Sequence, residues 1–129
     1  MHILIVDDSR TFRYLLLQYL KELGYESVTA ATCAAEAKKL LTEQKFDLVL
    51  ADWHMPGETG LDLLKHIRTT PAISQLPFVM TTMEQEKAHI LEALKLGIQS
   101  FLFKPLQKSI LAQKLNEIAA TYHLQAPAR

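Results

Sequence analysis

Short runs of apolar residues alternate along the chain with longer segments in which apolar residues recur every three or four positions. A short apolar run is typical of a buried strand, and the longer spacing is typical of an amphipathic helix. The runs predict five strands, over residues 3–6, 27–30, 47–51, 78–82 and 100–103. The periodic segments predict five helices, over residues 12–23, 34–41, 60–68, 85–96 and 108–122.

Glycine and threonine mark several of the predicted helix ends. Gly24 and Gly97 follow the first and fourth helices, and Thr32 is the predicted N-cap of the second. Strict alternation of strands and helices predicts an α/β fold, in which helices cover both faces of a parallel, doubly wound, five-stranded sheet in three layers. We expect one domain over residues 1–124 and a C-terminal tail over residues 125–129.

Composition narrows the class of protein. The chain has 129 residues, enough for one domain with a substantial core. Lys and Arg together number 14, as do Asp and Glu, so the charge does not indicate binding to nucleic acid or to an anionic membrane. The single cysteine, Cys33, excludes an internal disulfide framework. No apolar stretch is long enough to cross a membrane, and we expect a cytoplasmic protein.

Polar residues with chemical potential stand where the predicted strands end. They are Asp7 and Asp8 after the first strand, Asp52 after the third, Thr82 at the end of the fourth and Lys104 after the fifth. Each alone is typical of a cap or a turn. Because the carboxyl ends of parallel strands meet at one edge of a sheet, we expect three carboxylates, a hydroxyl and an ammonium to lie together.

This set of groups fits phosphoryl transfer to an aspartate. Clustered carboxylates resist shared ionisation, and Mg²⁺ binds such oxygen ligands, whereas zinc prefers cysteine and histidine. The five histidines lack the spacing of a metal site. A carboxylate can act as a nucleophile, and phosphoryl transfer needs mainly alignment and neutralisation of charge. The chain has no GxxxxGK[ST] loop, which disfavours an ATPase.

Several ordered motifs resemble the receiver domains of two-component response regulators. They are Asp7-Asp8, Asp52-Trp53-His54-Met55-Pro56, Gly60, Thr82 and Lys104-Pro105. The resemblance covers nearly the whole chain and is strongest to CheY-like single-domain chemotaxis regulators. It implies a flavodoxin-like strand order of 2-1-3-4-5. It also implies a signalling protein rather than an enzyme, which takes a phosphoryl group from a sensor histidine kinase or a phosphotransfer protein.

The resemblance assigns roles to individual residues. Asp52 is similar to the phosphoacceptor, and Asp7 and Asp8 to the acidic pair that holds Mg²⁺ together with it. The backbone carbonyl of His54 corresponds to a further metal ligand. Thr82 resembles the switch hydroxyl, and Lys104 the lysine that pairs with the phosphoryl group.

The same resemblance implies a route for the output. Phe101 takes the place of the switch aromatic, and the Lys104–Pro105 bond is expected to be cis. The face formed by helix four, strand five and helix five would bind a downstream protein. On that face we expect Lys87, Ile90, Phe101 and Lys114 to take part. Binding to nucleic acid or a membrane is not implied, and the chain would be a monomer or a dimer formed on phosphorylation.

Three positions depart from the pattern of the family. Phe101 stands where tyrosine is frequent, and a ring without a hydroxyl is expected to favour a buried position. Met83 follows Thr82 where a small residue is usual, and its side chain is expected to restrict access to the site. Glu84 and His54 occupy positions that influence the rate of dephosphorylation in this family.

Other readings remain open from the sequence. The domain could belong to a longer response regulator. A Mg²⁺-dependent phosphohydrolase with an aspartate nucleophile would need a second aspartate two residues later, where this chain has His54. A flavodoxin-like FMN-binding module fits the architecture, but the loop after the first strand is acidic, which is unfavourable for a phosphate without a metal.

Overall fold

A computed structural model describes residues 1–83 and 87–127 and contains the expected alternation of elements. The strands are β1 (Ile3–Val6), β2 (Val28–Ala31), β3 (Leu48–Asp52), β4 (Phe78–Thr82) and β5 (Ser100–Phe103). The helices are α1 (Arg10–Glu22), α2 (Ala34–Glu43), α3 (Gly60–Arg68), α4 (Lys87–Lys95) and α5 (Lys108–Thr121). One short 3₁₀ helix, Pro71–Ile73, lies between α3 and β4.

The five strands form one parallel sheet in the order β2-β1-β3-β4-β5. This confirms the predicted α/β class and strand order. The chain winds outward from β1 in one direction to β2 and in the other to β3, β4 and β5. The strand order therefore reverses between β1 and β3, and ligands of such sheets bind at the carboxyl ends of the strands around that point.

Alternate residues of the strands pack into two separate hydrophobic clusters, one on each face of the sheet. Leu4 and Val6 of β1 belong to a buried cluster with α2, α3 and residues of α4. Ile3 and Ile5 face the opposite side, in a cluster with α1 and α5. Because β1, β3 and β4 are buried on both faces, each begins with an unbroken run of at least three apolar residues, as expected for a parallel sheet.

The observed element boundaries differ in places from the predicted ones. The second and third strands each begin and end one residue later than expected. Thr32 is not the N-cap of α2: Cys33 takes that position, with no side-chain cap, and the Thr32 N–H donates to Glu36 Oε1 at 2.8 Å. The first-turn carboxylate therefore serves a backbone N–H just before the helix. The predicted start of the fourth helix, at residues 85–86, lies outside the described residues.

The chain after α5 turns back onto the domain. The Leu124 N–H donates to the Ala119 carbonyl at 2.8 Å, and the Leu124 side chain packs against the cluster that contains α1 and α5. Within residues 1–83 and 87–127, none of the helices combines the length and the apolar character needed to span a membrane.

Candidate functional site

Backbone hydrogen bonds extend the pairing between strands to Asp7 and Lys104, the site residues that directly follow β1 and β5. The Asp7 N–H donates to the Ala31 carbonyl at 3.1 Å, just past β1. The Lys104 N–H donates to the Thr82 carbonyl at 2.9 Å, just past β5. These two hydrogen bonds continue the pairing of β1 with β2 and of β5 with β4 by one residue at the carboxyl edge of the sheet. The predicted gathering of strand-end residues at one edge is therefore built into the sheet.

The first turn of α1 is anchored to Asp7. The Ser9 N–H donates to Asp7 Oδ1 at 2.8 Å, and Ser9 Oγ caps the helix by accepting from the Phe12 N–H at 3.2 Å. Arg13 Nη1 donates to the Asp7 carbonyl at 2.7 Å. The Asp7 side chain is buried and Asp8 is exposed, so the acidic pair offers one fixed carboxylate and one that is open to solvent.

Close packing at the start of α3 shapes the loop that follows Asp52. The Gly60 N–H donates to the Trp53 carbonyl at 2.9 Å. A Cβ at position 60 would lie 2.3 Å from the Asp52 carbonyl oxygen and 2.7 Å from Met80 Sδ, far inside van der Waals contact. Only glycine allows the helix to approach the backbone of Asp52 this closely.

Lys104 lies between two of the carboxylates. Its ammonium Nζ is 3.1 Å from Asp7 Oδ2 and 3.3 Å from Asp52 Oδ1, and the lysine side chain is 19% exposed. The Asp7 contact is a hydrogen bond. An ammonium shared by two largely buried carboxylates offsets part of their mutual repulsion.

Burial raises the pKa of the Asp52 carboxyl above its ordinary value, and repulsion from Asp7 raises it further. Attraction to Lys104 acts in the opposite direction and is the smaller effect. The lysine alone therefore does not compensate for ionisation of this carboxylate, and a further cation would stabilise the charged form.

The three aspartates match the donor set of a hard divalent cation. One carboxylate oxygen from each of Asp7, Asp8 and Asp52 lies within 4.8 Å of the others. All three donors are oxygens, which Mg²⁺ prefers, and the exposed Asp8 leaves room for the waters that Mg²⁺ retains. The chemistry of the donors and the unfavourable ionisation of Asp52 both fit a magnesium ion.

Thr82 and His54 are further predicted site residues, and Met83 directly follows Thr82 in the chain. Thr82 is fully buried at the end of β4, next to the Lys104 backbone. His54 is exposed in the loop after β3, and the metal-binding role of its carbonyl stays a prediction. The Met83 side chain is 72% exposed, and its predicted effect on access also stays a prediction. Glu84 lies outside the described residues.

The predicted partner face carries more apolar surface than the sequence indicated. Phe101 is half-buried: it packs against the core and stacks on Phe103, with ring centroids 6.2 Å apart, and Phe103 is 49% exposed. Phe101, Phe103, Ile110 and Lys114 line one groove between β5 and α5. Ile90 is half-buried on α4. The side chain of Lys87 lies outside the described part of the structure.

The peptide bond between Lys104 and Pro105 is cis, as predicted from the sequence.

Sequence reasoning missed two aromatic residues near the site. Phe12 begins the predicted first helix, where its spacing indicates only an apolar face, yet Lys104 Nζ lies 4.0 Å from the centroid of its ring. Phe103 was read as part of a buried strand. Alternation within β5 was the available signal, because residues 101 and 103 of one strand face the same side.

Comparison with known proteins agrees with this geometry. A family model for the response regulator receiver domain matches residues 3–116. The chemotaxis protein CheY-3 of Vibrio cholerae is 38% identical over 118 residues, covering 92% of this chain and 91% of that protein. Chemotaxis protein CheY1 of Helicobacter pylori is 37% identical over 122 residues, covering 94% of this chain and 98% of that protein.

Solved structures share the whole fold. The chemotaxis response regulator CheY4 of Vibrio cholerae superposes with a TM-score of 0.83 at 29% identity, over 91% of this chain and 97% of that one. The signal receiver domain of a signal transduction histidine kinase from Syntrophus aciditrophicus superposes with a TM-score of 0.86 at 25% identity, over 99% of this chain and 96% of that one.

Proposed function

The chain belongs to the response regulator receiver domain family, the phosphoacceptors of two-component signalling, and we propose that Asp52 is the residue that is phosphorylated. The supporting observation is the contact of its carboxylate with Lys104 at 3.3 Å, inside a cluster of three aspartates at the carboxyl edge of the sheet. Asp7 is less suited to the role, because its two oxygens already accept hydrogen bonds from Ser9 and Lys104.

In the proposed reaction, a carboxylate oxygen of Asp52 attacks the phosphorus of a phosphohistidine on a sensor histidine kinase or a phosphotransfer protein. A P–O bond to Asp52 forms as the P–N bond breaks, and the imidazole keeps the bonding electron pair and takes up a proton. Lys104 is within reach of the group that forms on Asp52 and would neutralise part of its charge.

Asp7, Asp8 and Asp52 would hold Mg²⁺, with the His54 carbonyl as a further ligand. When bound, the cation neutralises negative charge on the phosphoryl oxygens and the carboxylates. The acidic cluster and the raised pKa of Asp52 support this assignment. Without a divalent cation, the approach of an anionic donor to three carboxylates would be unfavourable.

We assign the output to the groove between β5 and α5 together with α4. Thr82 is buried beside Lys104 and would turn its hydroxyl to a phosphoryl oxygen, and Phe101 would then repack against the core. Because Phe101 stacks on the exposed Phe103, its movement would change the apolar surface offered to a partner protein. The relatives named above are chemotaxis proteins, so a chemotaxis component is the first downstream partner to test.

The phosphohydrolase alternative is disfavoured by His54, which occupies the position of the second aspartate that such an enzyme needs. The domain would stop at its own phosphoaspartate instead of turning over external phosphate esters. Steady release of phosphate from such esters by Asp52→Asn would favour the alternative.

Incubation with Mg²⁺ and a phosphodonor, followed by intact mass measurement, tests the proposal. The donors are acetyl phosphate, phosphoramidate and a phosphorylated histidine kinase, because Met83 could hinder individual small donors. We expect an adduct of a single phosphoryl group that is lost in base, is absent in Asp52→Asn and is absent when Mg²⁺ is chelated. No adduct from any donor, or an undiminished adduct in Asp52→Asn, would contradict the proposal.

A further inference from the structure

We propose that Phe12 is a positioning residue for Lys104: the face of its ring holds the lysine ammonium between Asp7 and Asp52. The inference rests on the proposed function, because it concerns the group that would meet the phosphoryl oxygens. It adds an apolar residue of α1 to a site otherwise made of carboxylates, a hydroxyl and an ammonium.

Three contacts define the place of the ammonium. Lys104 Nζ lies 3.1 Å from Asp7 Oδ2, 3.3 Å from Asp52 Oδ1 and 4.0 Å from the centroid of the Phe12 ring. An ammonium has three N–H donors and no acceptor, and a ring face carries negative partial charge that attracts a cation. The two carboxylates and the ring therefore surround a lysine head whose side chain is only 19% exposed.

The ring is fixed to the same structure that fixes Asp7. The Phe12 N–H donates to Ser9 Oγ, the Ser9 N–H donates to Asp7 Oδ1, and Arg13 Nη1 donates to the Asp7 carbonyl. On its other side, the Phe12 ring packs against the buried cluster of α1 and α5. Its position relative to the carboxylates is thus set by the first turn of α1 and not by a mobile loop.

An aromatic ring suits this place better than a third carboxylate would. A carboxylate would hold the ammonium strongly and would compete with the phosphoryl group for it. The ring attracts the cation and excludes water from one side, but it adds no formal charge and no hydrogen-bond acceptor of comparable strength. Phe12 can therefore hold Lys104 in place while leaving its donors available for the phosphoryl oxygens.

Loss of the ring should lower the rate of phosphorylation at saturating donor. We expect Phe12→Leu to reduce the maximal rate with acetyl phosphate and Mg²⁺ by about fivefold, the scale of a partly desolvated cation–π contact. The donor concentration at half-maximal rate should change less, because the cost falls on charge stabilisation during transfer. Phe12→Tyr keeps a ring face and should retain most of the rate.

A double-mutant cycle separates positioning from general packing. In a Lys104→Met background, Phe12→Leu should cause no further loss, because the cation that the ring holds is absent. Tyr19→Leu is the matched control: Tyr19 lies on α1 and packs against the same cluster as Phe12. It should leave the rate unchanged. The ε-CH₂ protons of Lys104 should show an upfield ring-current shift in the unchanged chain that disappears in Phe12→Leu.

The outcomes distinguish the inference from the function on which it rests. The rates are compared with whichever donor phosphorylates the unchanged chain, and absence of phosphorylation by acetyl phosphate, phosphoramidate and a phosphorylated histidine kinase alike would overturn the proposed function and this inference with it. Phosphorylation at the same rate in Phe12→Leu, an equal loss in Phe12→Tyr, or an undiminished effect of Phe12→Leu in Lys104→Met would overturn the inference alone. If Phe12→Leu fails to fold by circular dichroism, Phe12→Met supplies a flexible non-aromatic side chain for the same comparison.

Discussion

At the scale of single residues, the site is a small region of uncompensated negative charge. Asp7 and Asp52 are buried, and both of their carboxylates form ion pairs with the one ammonium of Lys104. The raised pKa of Asp52 records the cost of ionising it there, for which burial is the main cause. Three carboxylates and one ammonium leave two formal negative charges, which one divalent cation would neutralise before a phosphoryl group arrives.

Asp52→Asn should stabilise the metal-free protein at neutral pH. A carboxyl whose pKa is higher in the folded state opposes folding once the pH rises above its ordinary pKa, and the full cost applies above its folded-state pKa. Asparagine removes that cost, so we expect a gain on the order of 1 kcal/mol in the free energy of unfolding, the usual size of a single-residue effect. Urea unfolding in the presence of a chelator measures it.

The higher free energy of unfolding expected for Asp52→Asn should disappear in acid, where Asp52 is protonated in both the folded and the unfolded chain. At neutral pH, Mg²⁺ should reduce the difference in the free energy of unfolding between Asp52→Asn and the unchanged chain, because it would stabilise mainly the unchanged chain. Asp8→Asn is the matched control, because Asp8 belongs to the same acidic cluster but is exposed, and its gain should be smaller. A destabilised Asp52→Asn at neutral pH would show that the Lys104 contact outweighs burial.

The sequence predicted which residues gather at the site, but it did not predict all of their neighbours. Asp7, Asp52 and Lys104 were recognisable because a charged residue directly after an apolar run marks the end of a strand. Phe12 was not, because an aromatic residue at helical spacing indicates only that it faces the core. Its contact with Lys104 joins residues far apart in the chain, and only the packed fold reveals it.

At the scale of elements, Arg68 joins the end of α3 to its neighbours. Its guanidinium donates to the Leu96 carbonyl at 2.6 Å, the Leu76 carbonyl at 2.7 Å and the Gly97 carbonyl at 3.0 Å. It thereby serves the two residues that directly follow α4 and the segment that enters β4. Burial lowers the pKa of the Arg68 guanidinium, which nevertheless remains charged at neutral pH.

Arg68→Ala should destabilise the fold because four backbone carbonyl groups, those of Ser74, Leu76, Leu96 and Gly97, lose a donor. We expect a loss of about 2 kcal/mol in the free energy of unfolding, given that hydrogen bonds to charged groups are among the stronger ones. Arg68→Lys keeps the charge but has a single ammonium that cannot reach all of these acceptors, so its loss of stability should be intermediate. Urea denaturation measures both, and equal stability of Arg68→Ala and the unchanged chain would refute the assignment.

Prediction at this scale succeeded for the type of each element and failed for some of its ends. The apolar runs identified all five strands, and their signal is clearest for β1, β3 and β4, which are buried on both faces. The predicted start of α2 at residue 34 is observed, but its predicted N-cap was wrong: Cys33 takes that position, and the Thr32 N–H donates to Glu36 instead. Which residue takes the N-cap position is decided by local geometry, which a residue pattern does not contain.

At the scale of the whole molecule, a ring contact connects the site with the predicted partner face. Trp53 directly follows Asp52, is 3% exposed and stacks on His89 of α4, with ring centroids 5.5 Å apart. A change at the carboxyl edge of the sheet can therefore reach α4 through packed side chains. We expect a change at Asp52 to alter this contact and, through it, the position of α4.

Trp53 fluorescence should change when Mg²⁺ binds. Trp53 is the single tryptophan of the chain, so the signal needs no assignment. A cation held by Asp52 would alter the charge next to the indole and its contact with His89. A Mg²⁺ titration should give a saturable change that is weakened in Asp8→Asn. A flat titration in which calorimetry nevertheless detects binding would refute the coupling between the site and the ring.

The most direct test of the account is to locate the phosphoryl group within the chain. Borohydride reduces an aspartyl phosphate to homoserine, and fragmentation of the resulting peptides identifies the position that was modified. After phosphorylation in Mg²⁺, the account predicts homoserine at position 52 and at no other aspartate. Homoserine at Asp7 or Asp8, or its absence from position 52 in a phosphorylated sample, would contradict the account.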